Sequence, residues 1–330
     1  MHRIIEETLD GLKIGAEKNH GGMSVRPIIQ IGSPILEYEM LSEATSNEWL
    51  RVTEISDEGS VPELKLVNES DKDILILDGE ELHGAKQNRV LNTSILVGAK
   101  ARIVVPVSCT EQGRWNRVSE TFGDSEKMLF GKARRRKMES VHRSLERGSG
   151  HRSDQHAVWD EIGDIQMKLC AHSNTGAMKD VFDQKKVETD EYLDIFDLQE
   201  GQCGIVVALG GKIMGFEYVS RPDCYSRVHR RLIESYALDA IADQDNEFLI
   251  STRAVEEFIE AIWHSRLECF PSVSKGEDLR LESDSFLGAS LIHQNEIVHM
   301  TVFMKEESPL RDTNRIRSFL SRRRNRIRNQ

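Results

Sequence analysis

The stretch "CGIVVALGGKIMGFEYV" at residues 203–219 decides the fold class. Two apolar runs flank Gly210-Gly211. A glycine pair between such runs is typical of a two-residue hairpin turn, because both turn positions need a left-handed backbone. The stretch therefore predicts two neighbouring antiparallel strands joined by a tight turn.

Helices and further strands surround this hairpin. Three sets of apolar residues recur at helical spacing: Val158, Ile162, Ile165, Leu169 and Cys170; Tyr225, Val228, Leu232, Tyr236 and Ala240; and Val255, Phe258, Ile259 and Ile262. Either Ser153 or Asp154 is a suitable N-cap for the first helix. Four strand-like runs follow between residues 267 and 303, and the last two are joined tightly at Gln294-Asn295.

The N-terminal part of the chain has a different pattern. Residues 10–112 contain short strand-like runs with turn signals at the close spacing typical of a β-sandwich or β-barrel. The runs at 62–68 and 73–79 predict a β-hairpin with a longer loop. Because strands and helices do not alternate, the order favours an α+β fold over a doubly wound one. We expect a β-rich, sandwich- or barrel-like N-terminal half and a C-terminal half of helices plus antiparallel sheet.

Composition changes suggest four segments. Residues 9–122 form the β-rich half, and residues 123–152 are a basic mobile connection with a helix around residues 132–146. Residues 153–304 form the α+β half, which could share one core with the first. Residues 305–330 are an arginine-rich tail.

Charge is distributed unevenly along the chain. The net charge is −11, but residues 311–330 hold eight arginines and one aspartate, a local charge of +7, which leaves −18 for the rest. Residues 132–152 carry a second basic block of +6. Nucleic acid or another acidic partner could attract the tail. Solvation, or docking on the chain's own acidic surface or on a second subunit of a homo-oligomer, is the favoured interpretation.

Several protein classes are disfavoured by the sequence. No apolar run approaches the roughly 20 residues that span a bilayer, and the N-terminus carries acids where a signal peptide has basic residues. The five cysteines are odd in number and scattered without CxxC spacing, which argues against a zinc site or a disulfide framework. We expect a soluble cytoplasmic protein, and the sequence leaves the question of a cofactor open.

Polar residues of many types crowd residues 79–96, "GEELHGAKQNRVLNTSIL", and a second polar cluster at 111–115 ends the next strand. Such density at strand ends is typical of a site on a scaffold. The alternative is that these residues only stabilise a bulge and pair charges on a wet face. The candidate catalytic residues are Glu80 and Glu81. The candidate ligand-binding residues are Lys86, Gln87, Asn88, Arg89, Asn92, Glu111, Gln112, Arg114 and Trp115.

Each group has an expected role in such a site. One of the two glutamates would be a general acid/base or a metal ligand. Arg89 and Arg114 would hold anionic groups, and Trp115 would stack on a ring. Cys109 is better explained as a buried strand residue. The histidines show no HxH or HExxH spacing, so no metal site is predicted.

Two long motifs carry a family resemblance. "LDGEELHGAKQNRVLNTSILV" at 77–97 and "VPVSCTEQGRW" at 105–115 resemble the signature of the ARG and Rhodanese-Phosphatase-superfamily-associated Protein domain family. Supporting motifs are "NHGGMSVRPI" (19–28), "VWDEIGDIQMKLCAHSNTGAMKD" (158–180), "GQCGIVVALGGKIMGFE" (201–217), "LIESYALDAI" (232–241) and "GASLIHQNEIVHMTVF" (288–303). The resemblance covers roughly residues 9–304.

Two functional hypotheses follow. The family name records association with ADP-ribosylglycohydrolases and rhodanese–phosphatase proteins, so the resemblance implies nucleotide or ADP-ribose chemistry. The first hypothesis is a small-molecule site for a nucleotide or ADP-ribose-like ligand, which predicts a concave pocket with convergent polar groups. The second is a non-catalytic interaction module that recruits partners through its basic segments, which predicts a flat apolar patch or an oligomeric interface at the motif.

Overall fold

The computed structural model describes residues 1–32, 34–243 and 249–306. The helices of these ranges are α1 (His2–Asp10), α2 (Leu41–Ser46), α3 (Gly131–Glu146), α4 (Gln155–Lys168), α5 (Met178–Gln184), α6 (Lys186–Ile195), α7 (Pro222–Asp243) and α8 (Thr252–Trp263). The first nine strands are β1 (Leu12–Ile14), β2 (Lys18–His20), β3 (Met23–Gln30), β4 (Glu39–Met40), β5 (Leu50–Glu54), β6 (Glu63–Asn68), β7 (Ile74–Ile76), β8 (Glu80–Gly84) and β9 (Arg89–Leu91). The remaining nine are β10 (Ile95–Val97), β11 (Arg102–Cys109), β12 (Phe122–Met128), β13 (Gln202–Leu209), β14 (Lys212–Val219), β15 (Arg266–Pro271), β16 (Glu277–Glu282), β17 (Phe286–His293) and β18 (Glu296–Met304).

A nine-stranded sheet is the centre of the fold. Its order is β1-β3-β13-β14-β18-β17-β16-β15, with β2 paired to β3. The predicted hairpin of residues 203–219 is its β13–β14 pair, and Gly210 and Gly211 have the positive φ values of 53° and 73° that the turn requires. Because β1–β3 belong to this sheet, the N-terminal 30 residues pack with the C-terminal half.

A six-stranded barrel forms the second β unit. It closes in the order β11-β6-β5-β12-β8-β9, and a three-stranded sheet, β10-β7-β4, lies beside it. Alternate residues of its strands, such as Val52, Leu66 and Val107, are buried in one apolar cluster. The expected α+β class with a β-rich N-terminal half is therefore confirmed, and the half is barrel-like.

Long helices cover both faces of the large sheet. On one face α7 packs its predicted stripe, including Tyr225, Leu232 and Tyr236, against β13 residues such as Ile205 and Val207. On the other face α1 and α8 bury an apolar cluster with alternate residues of the same strand. The predicted helix α4 is capped by Asp154, whose carboxylate accepts hydrogen bonds from the first-turn amides of His156 and Ala157.

The hairpin predicted for residues 62–68 and 73–79 is wrong. β6 pairs with β5 and β11 in the barrel, whereas β7 pairs with β10 and β4. The loop between them is held by Asn68, whose side-chain amide donates to the carbonyl oxygens of Lys72 and Gly98. The polar loop therefore transfers the chain between two sheets.

The structure also differs from the expectation of a mobile connection at 123–152. β12 closes the barrel, so a boundary at residue 122 falls inside a strand. The following helix, α3, buries Arg134 and Lys137 together with its apolar residues. Lys137 Nζ donates to Asp78 and to the Leu91 carbonyl (2.6 Å), and Arg134 pairs with Glu217 at 2.7 Å. The basic block is thus a packed helix with buried counter-ions.

Two further expectations concern the arginine-rich tail and membrane-spanning segments. The arginines of residues 311–330 lie outside the described residues. Within the described ranges, none of the helices has both the length and the apolar character needed to cross a membrane.

Candidate functional site

One end of the barrel is polar inside. Arg89 and Cys109 are paired neighbours on β9 and β11, and neighbouring residues across a strand pair project to the same face. Glu54 ends β5 and is also buried. We call the cluster of Glu54, Gln87, Arg89 and Cys109 the barrel end. It places a cation, an acid, an amide and a thiol together above the apolar barrel interior.

Two loops cover the barrel end. Lys86 Nζ lies 5.4 Å from the ring centre of Trp115 and donates to the Glu58 carbonyl at 2.6 Å. Gly59 has φ of 79°, and a Cβ there would lie 3.1 to 3.4 Å from Lys86, Trp115 and Glu54. Because glycine has no Cβ, the loop that contains Gly59 can pack closely against Lys86 and Trp115. Trp115 is 46 % exposed, so its ring borders both solvent and the barrel end.

Arg89 is the centre of the barrel end. Its side chain is fully buried, and its Nη1 donates to Gln87 Oε1 at 2.9 Å. Its Nε and Nη2 have no hydrogen-bond partner among the described residues. Burial lowers the pKa of Arg89, while Cys109 and Glu54 oppose that shift. The guanidinium lies 5.6 Å from the Trp115 ring centre, so its two unpaired nitrogens lie under an aromatic cover.

Cys109 is not an activated thiol. Burial raises its pKa to about 11, although Arg89 opposes the effect. The thiol donates to Gln87 Oε1 at 2.9 Å. Because the thiolate is the reactive form of cysteine, this protonated group is better explained as part of the packing, as the sequence favoured.

A clamp centred on Arg114 joins the two polar motifs. Its guanidinium donates to Glu111 Oε2 (2.6 Å), to Asn88 Oδ1 (3.1 Å) and to the Ala85 carbonyl (2.8 Å). Burial disfavours the charged form of Glu111, but hydrogen bonds from Arg114 and Thr175 lower its pKa overall. Protein oxygens thus accept hydrogen bonds from Arg114, so of the two predicted site arginines it is Arg89 that has buried donors without a partner among the described residues.

Glu81 lies behind the barrel end, on the outward face of β8. Its Oε1 accepts from the Thr110 hydroxyl at 2.6 Å. Ser125 also favours the charged form, yet Oε2 has no well-aligned partner in the part of the chain that the structure describes. Burial raises the pKa of Glu81 to about 7. This carboxyl group is therefore poised to exchange a proton near neutral pH.

Glu80 points to a different partner. Arg231 of α7 pairs with Glu80 at 2.7 Å and with Asp124 at 2.9 Å. Burial raises the pKa of Glu80, while Arg231 opposes it. Arg231 also lines a cavity of about 440 Å³ between α2, β12 and α7, with Lys127 among the other lining residues. The two neighbouring glutamates therefore face different surroundings and do not form a carboxylate pair.

The other predicted site residues lie at the edges of the cluster or outside it. Asn92 is buried away from it and donates to the His151 carbonyl at 3.0 Å, whereas Gln112 is exposed. Glu54 and Gly59 were not predicted as site residues, because they lie outside the two polar motifs. An acid at the end of a predicted strand followed by a glycine-containing loop, as in "VTEISDEG" at residues 52–59, is the signal that could have indicated them.

Comparisons with known proteins identify the family and leave the activity open. No protein of curated function and no solved structure matches the chain. The family model of the ARG and Rhodanese-Phosphatase-superfamily-associated Protein domain matches residues 11–303. That match includes both polar motifs, the barrel and the large sheet. The chain therefore belongs to the ARG and Rhodanese-Phosphatase-superfamily-associated Protein domain family.

Proposed function

We propose that the chain binds a small anionic ligand of the nucleotide or ADP-ribose class at the barrel end. The observation that carries the proposal is the fully buried guanidinium of Arg89, whose Nε and Nη2 lack partners among the described residues. A buried polar donor without a partner costs about 1–3 kcal/mol, and more when it is charged. A ligand that supplies the acceptors explains why the site retains this arginine.

The unpaired atoms suit a phosphate. Nε and Nη2 lie along the same edge of the planar guanidinium group. Together they can donate two parallel hydrogen bonds to two oxygens of one phosphate or carboxylate. Trp115, 5.6 Å from the guanidinium, offers a flat face for a base or another ring. Stacking of a base on an aromatic side chain contributes about 1–3 kcal/mol. A phosphate joined to a ring is therefore the ligand class that uses both groups.

Replacing Arg89 with methionine should abolish ligand binding while leaving the fold intact. ADP-ribose, ADP and inorganic pyrophosphate, each tested at saturating concentration, should raise the melting temperature of the unchanged protein by at least about 2 °C. The Arg89→Met protein should show no such rise. Its unfolding free energy without ligand should stay within about 1 kcal/mol, because methionine keeps most of the volume and removes unpaired donors.

Two further variants distinguish binding at this site from a general charge effect. Arg117 lies in the same covering loop but pairs with Asp57 and Glu120 at the surface, so Arg117→Met should keep the full response. Trp115→Leu should weaken the response to ADP-ribose and ADP but spare pyrophosphate, which has no ring. The proposal is wrong if none of the three ligands shifts the unchanged protein, or if Arg89→Met responds like Arg117→Met.

The alternative function is an interaction module that recruits an acidic partner through basic segments. The charge of +7 in residues 311–330 favours it, whereas the basic block of α3 has its Arg134 and Lys137 buried. Deleting residues 311–330 should then weaken binding to a polyanion such as heparin. The binding of the full chain should fall steeply with added salt, because bound counterions are released. The melting temperature should change by no more than about 3 °C. Unchanged heparin affinity after the deletion would contradict this function for the tail.

A further inference from the structure

We propose that His142, Glu146 and Glu268 bind a divalent transition-metal ion at the C-terminal end of α3. His142 and Glu146 are four residues apart, so they lie on one face of that helix. Glu268 belongs to β15, and one of its carboxylate oxygens lies close to ligand atoms of both helix residues. The site is separate from the barrel end and from the 440 Å³ cavity, since it shares no residue with either.

The distances suit coordination better than hydrogen bonding. One ligand atom from each of the three residues lies within 4.8 Å of the other two. His142 Nε2 lies 3.7 Å from Glu146 Oε1 and 3.8 Å from Oε2 of Glu282 on β16, too far for a hydrogen bond. Two ligands that are each about 2.1 Å from a tetrahedral ion are about 3.4 Å apart. On binding, His142 Nε2 and Glu146 Oε1 would therefore approach by about 0.3 Å, and a pair at the 4.8 Å limit would approach by about 1.4 Å.

The buried ring nitrogen of His142 also favours a metal ion at this site. The residue is 6 % exposed, and its Nε2 is buried without a hydrogen-bond partner within the described part of the chain. An imidazole whose buried ring nitrogen is unpaired and lies 3.7 to 3.8 Å from carboxylate oxygens is a metal ligand by its chemistry. Coordination would satisfy a nitrogen that the protein leaves unpaired.

The neighbouring lysine and arginine side chains leave one oxygen of each carboxylate available to coordinate a metal ion. Lys305 takes Glu282 Oε1 at 3.0 Å, and Arg266 contacts Glu268 Oε1, so each carboxylate retains its second oxygen. Glu146 has no lysine or arginine partner among the described residues. One imidazole with two or three carboxylates selects Zn²⁺ or Mn²⁺ over Ca²⁺ and Mg²⁺, which prefer all-oxygen sites. A bound ion would fix the end of α3 to the edge of the large sheet.

Isothermal titration calorimetry on chelator-treated full-length protein tests this site. ZnCl2 and MnCl2 should each be titrated, with one equivalent of at least one of them bound by the unchanged protein. That ion should also raise the melting temperature, since it binds only the folded chain. His142→Asn and Glu146→Gln should each weaken the affinity at least about tenfold. Glu146 is half-exposed, so its variant retains the fold even if His142→Asn does not.

The matched control is His156→Asn. His156 is an exposed histidine on α4 that stacks edge-on against Trp159, and its variant should bind metal as the unchanged protein does. The proposal is overturned if neither ion binds stoichiometrically, or if Glu146→Gln binds as tightly as His156→Asn. Equal loss in all three variants would likewise overturn it, because it would show that metal binds at dispersed surface groups.

Discussion

Replacing Lys137 with methionine should lower the free energy of unfolding by about 3–5 kcal/mol. The ammonium group is fully buried, contacts the carboxylate of Asp78 and donates to the Leu91 carbonyl at 2.6 Å. Burial lowers the pKa of Lys137, and Asp78 opposes that shift. Methionine retains the stem but leaves a buried carboxylate without its counter-ion. Urea denaturation at pH 7 measures the loss.

Arg136 gives a control on the same helix. Its guanidinium is half-exposed and pairs with Glu161 at 2.5 Å, and exposed pairs contribute only about 0–1 kcal/mol. Arg136→Met should therefore cost no more than about 1 kcal/mol. The double variant Lys137→Met/Asp78→Asn should recover part of the loss, because it removes the uncompensated charge. If Lys137→Met costs as little as Arg136→Met, α3 is not packed as described.

The contrast within α3 shows where the sequence stops predicting the fold. Met138, Val141 and Leu145 recur at helical spacing, and all three are buried. Their stripe was present in the sequence, but the surrounding basic residues indicated a mobile connection. Burial of Lys137 is tolerated only because Asp78, 59 residues away in the chain, lies beside it. A pattern within one segment cannot supply such a partner.

Strand pairing was likewise predictable between neighbouring segments but not between distant ones. The hairpin around Gly210-Gly211 was predictable because its turn chemistry and its apolar runs are adjacent in the chain. The partners of β6 are set by closure of the barrel, with β11 paired from more than 30 residues away. Short apolar runs carry no information about such distant partners, so the simpler local hairpin with β7 was wrong.

The closeness of the two polar motifs was more predictable than the directions of their side chains. Two polar motifs at strand ends come together because β9 pairs with β11. The direction of each side chain depends on neighbours from other segments. Arg114 is turned toward backbone carbonyls, and Glu80 meets Arg231 of a helix about 150 residues later. Of the two predicted arginines, Arg89 has buried donors without a partner among the described residues, which only the packed barrel shows.

The unchanged protein should lose stability as the pH rises from 5 to 8. Replacing Glu81 with glutamine should make this loss smaller. The carboxyl group has its pKa raised to about 7 by burial, against about 4.3 in an unfolded chain. A raised acid pKa means that the folded state holds its proton more tightly. The stability contributed by protonated Glu81 is therefore fully present below about pH 4.3 and is lost as the pH rises to about 7.

The expected size of this effect is about 3 kcal/mol, from a shift of between two and three units at about 1.4 kcal/mol each. Glu81→Gln should consequently be more stable than the unchanged protein at pH 8 by about 2–3 kcal/mol, and equal or slightly less stable at pH 5. Urea denaturation at four pH values between 5 and 8 measures the difference. Glu120→Gln, at an exposed carboxylate of the covering loop, should run parallel to the unchanged protein. Parallel curves for Glu81→Gln as well would contradict a raised pKa.

A stabilised Glu81→Gln protein would bear on function as well as on folding. Strongly shifted pKa values concentrate at sites of chemistry. A buried carboxylate that lowers stability at neutral pH is therefore expected where its proton takes part in a reaction. Glu81 lies on the outward face of β8 and accepts a hydrogen bond from Thr110, the residue after Cys109, so Thr110 is its link to the barrel end. If Glu81 is a general acid or base, Glu81→Gln should keep the thermal response to ADP-ribose and lose any turnover of that ligand. Loss of the thermal response itself would instead show that Glu81 positions the barrel end for binding.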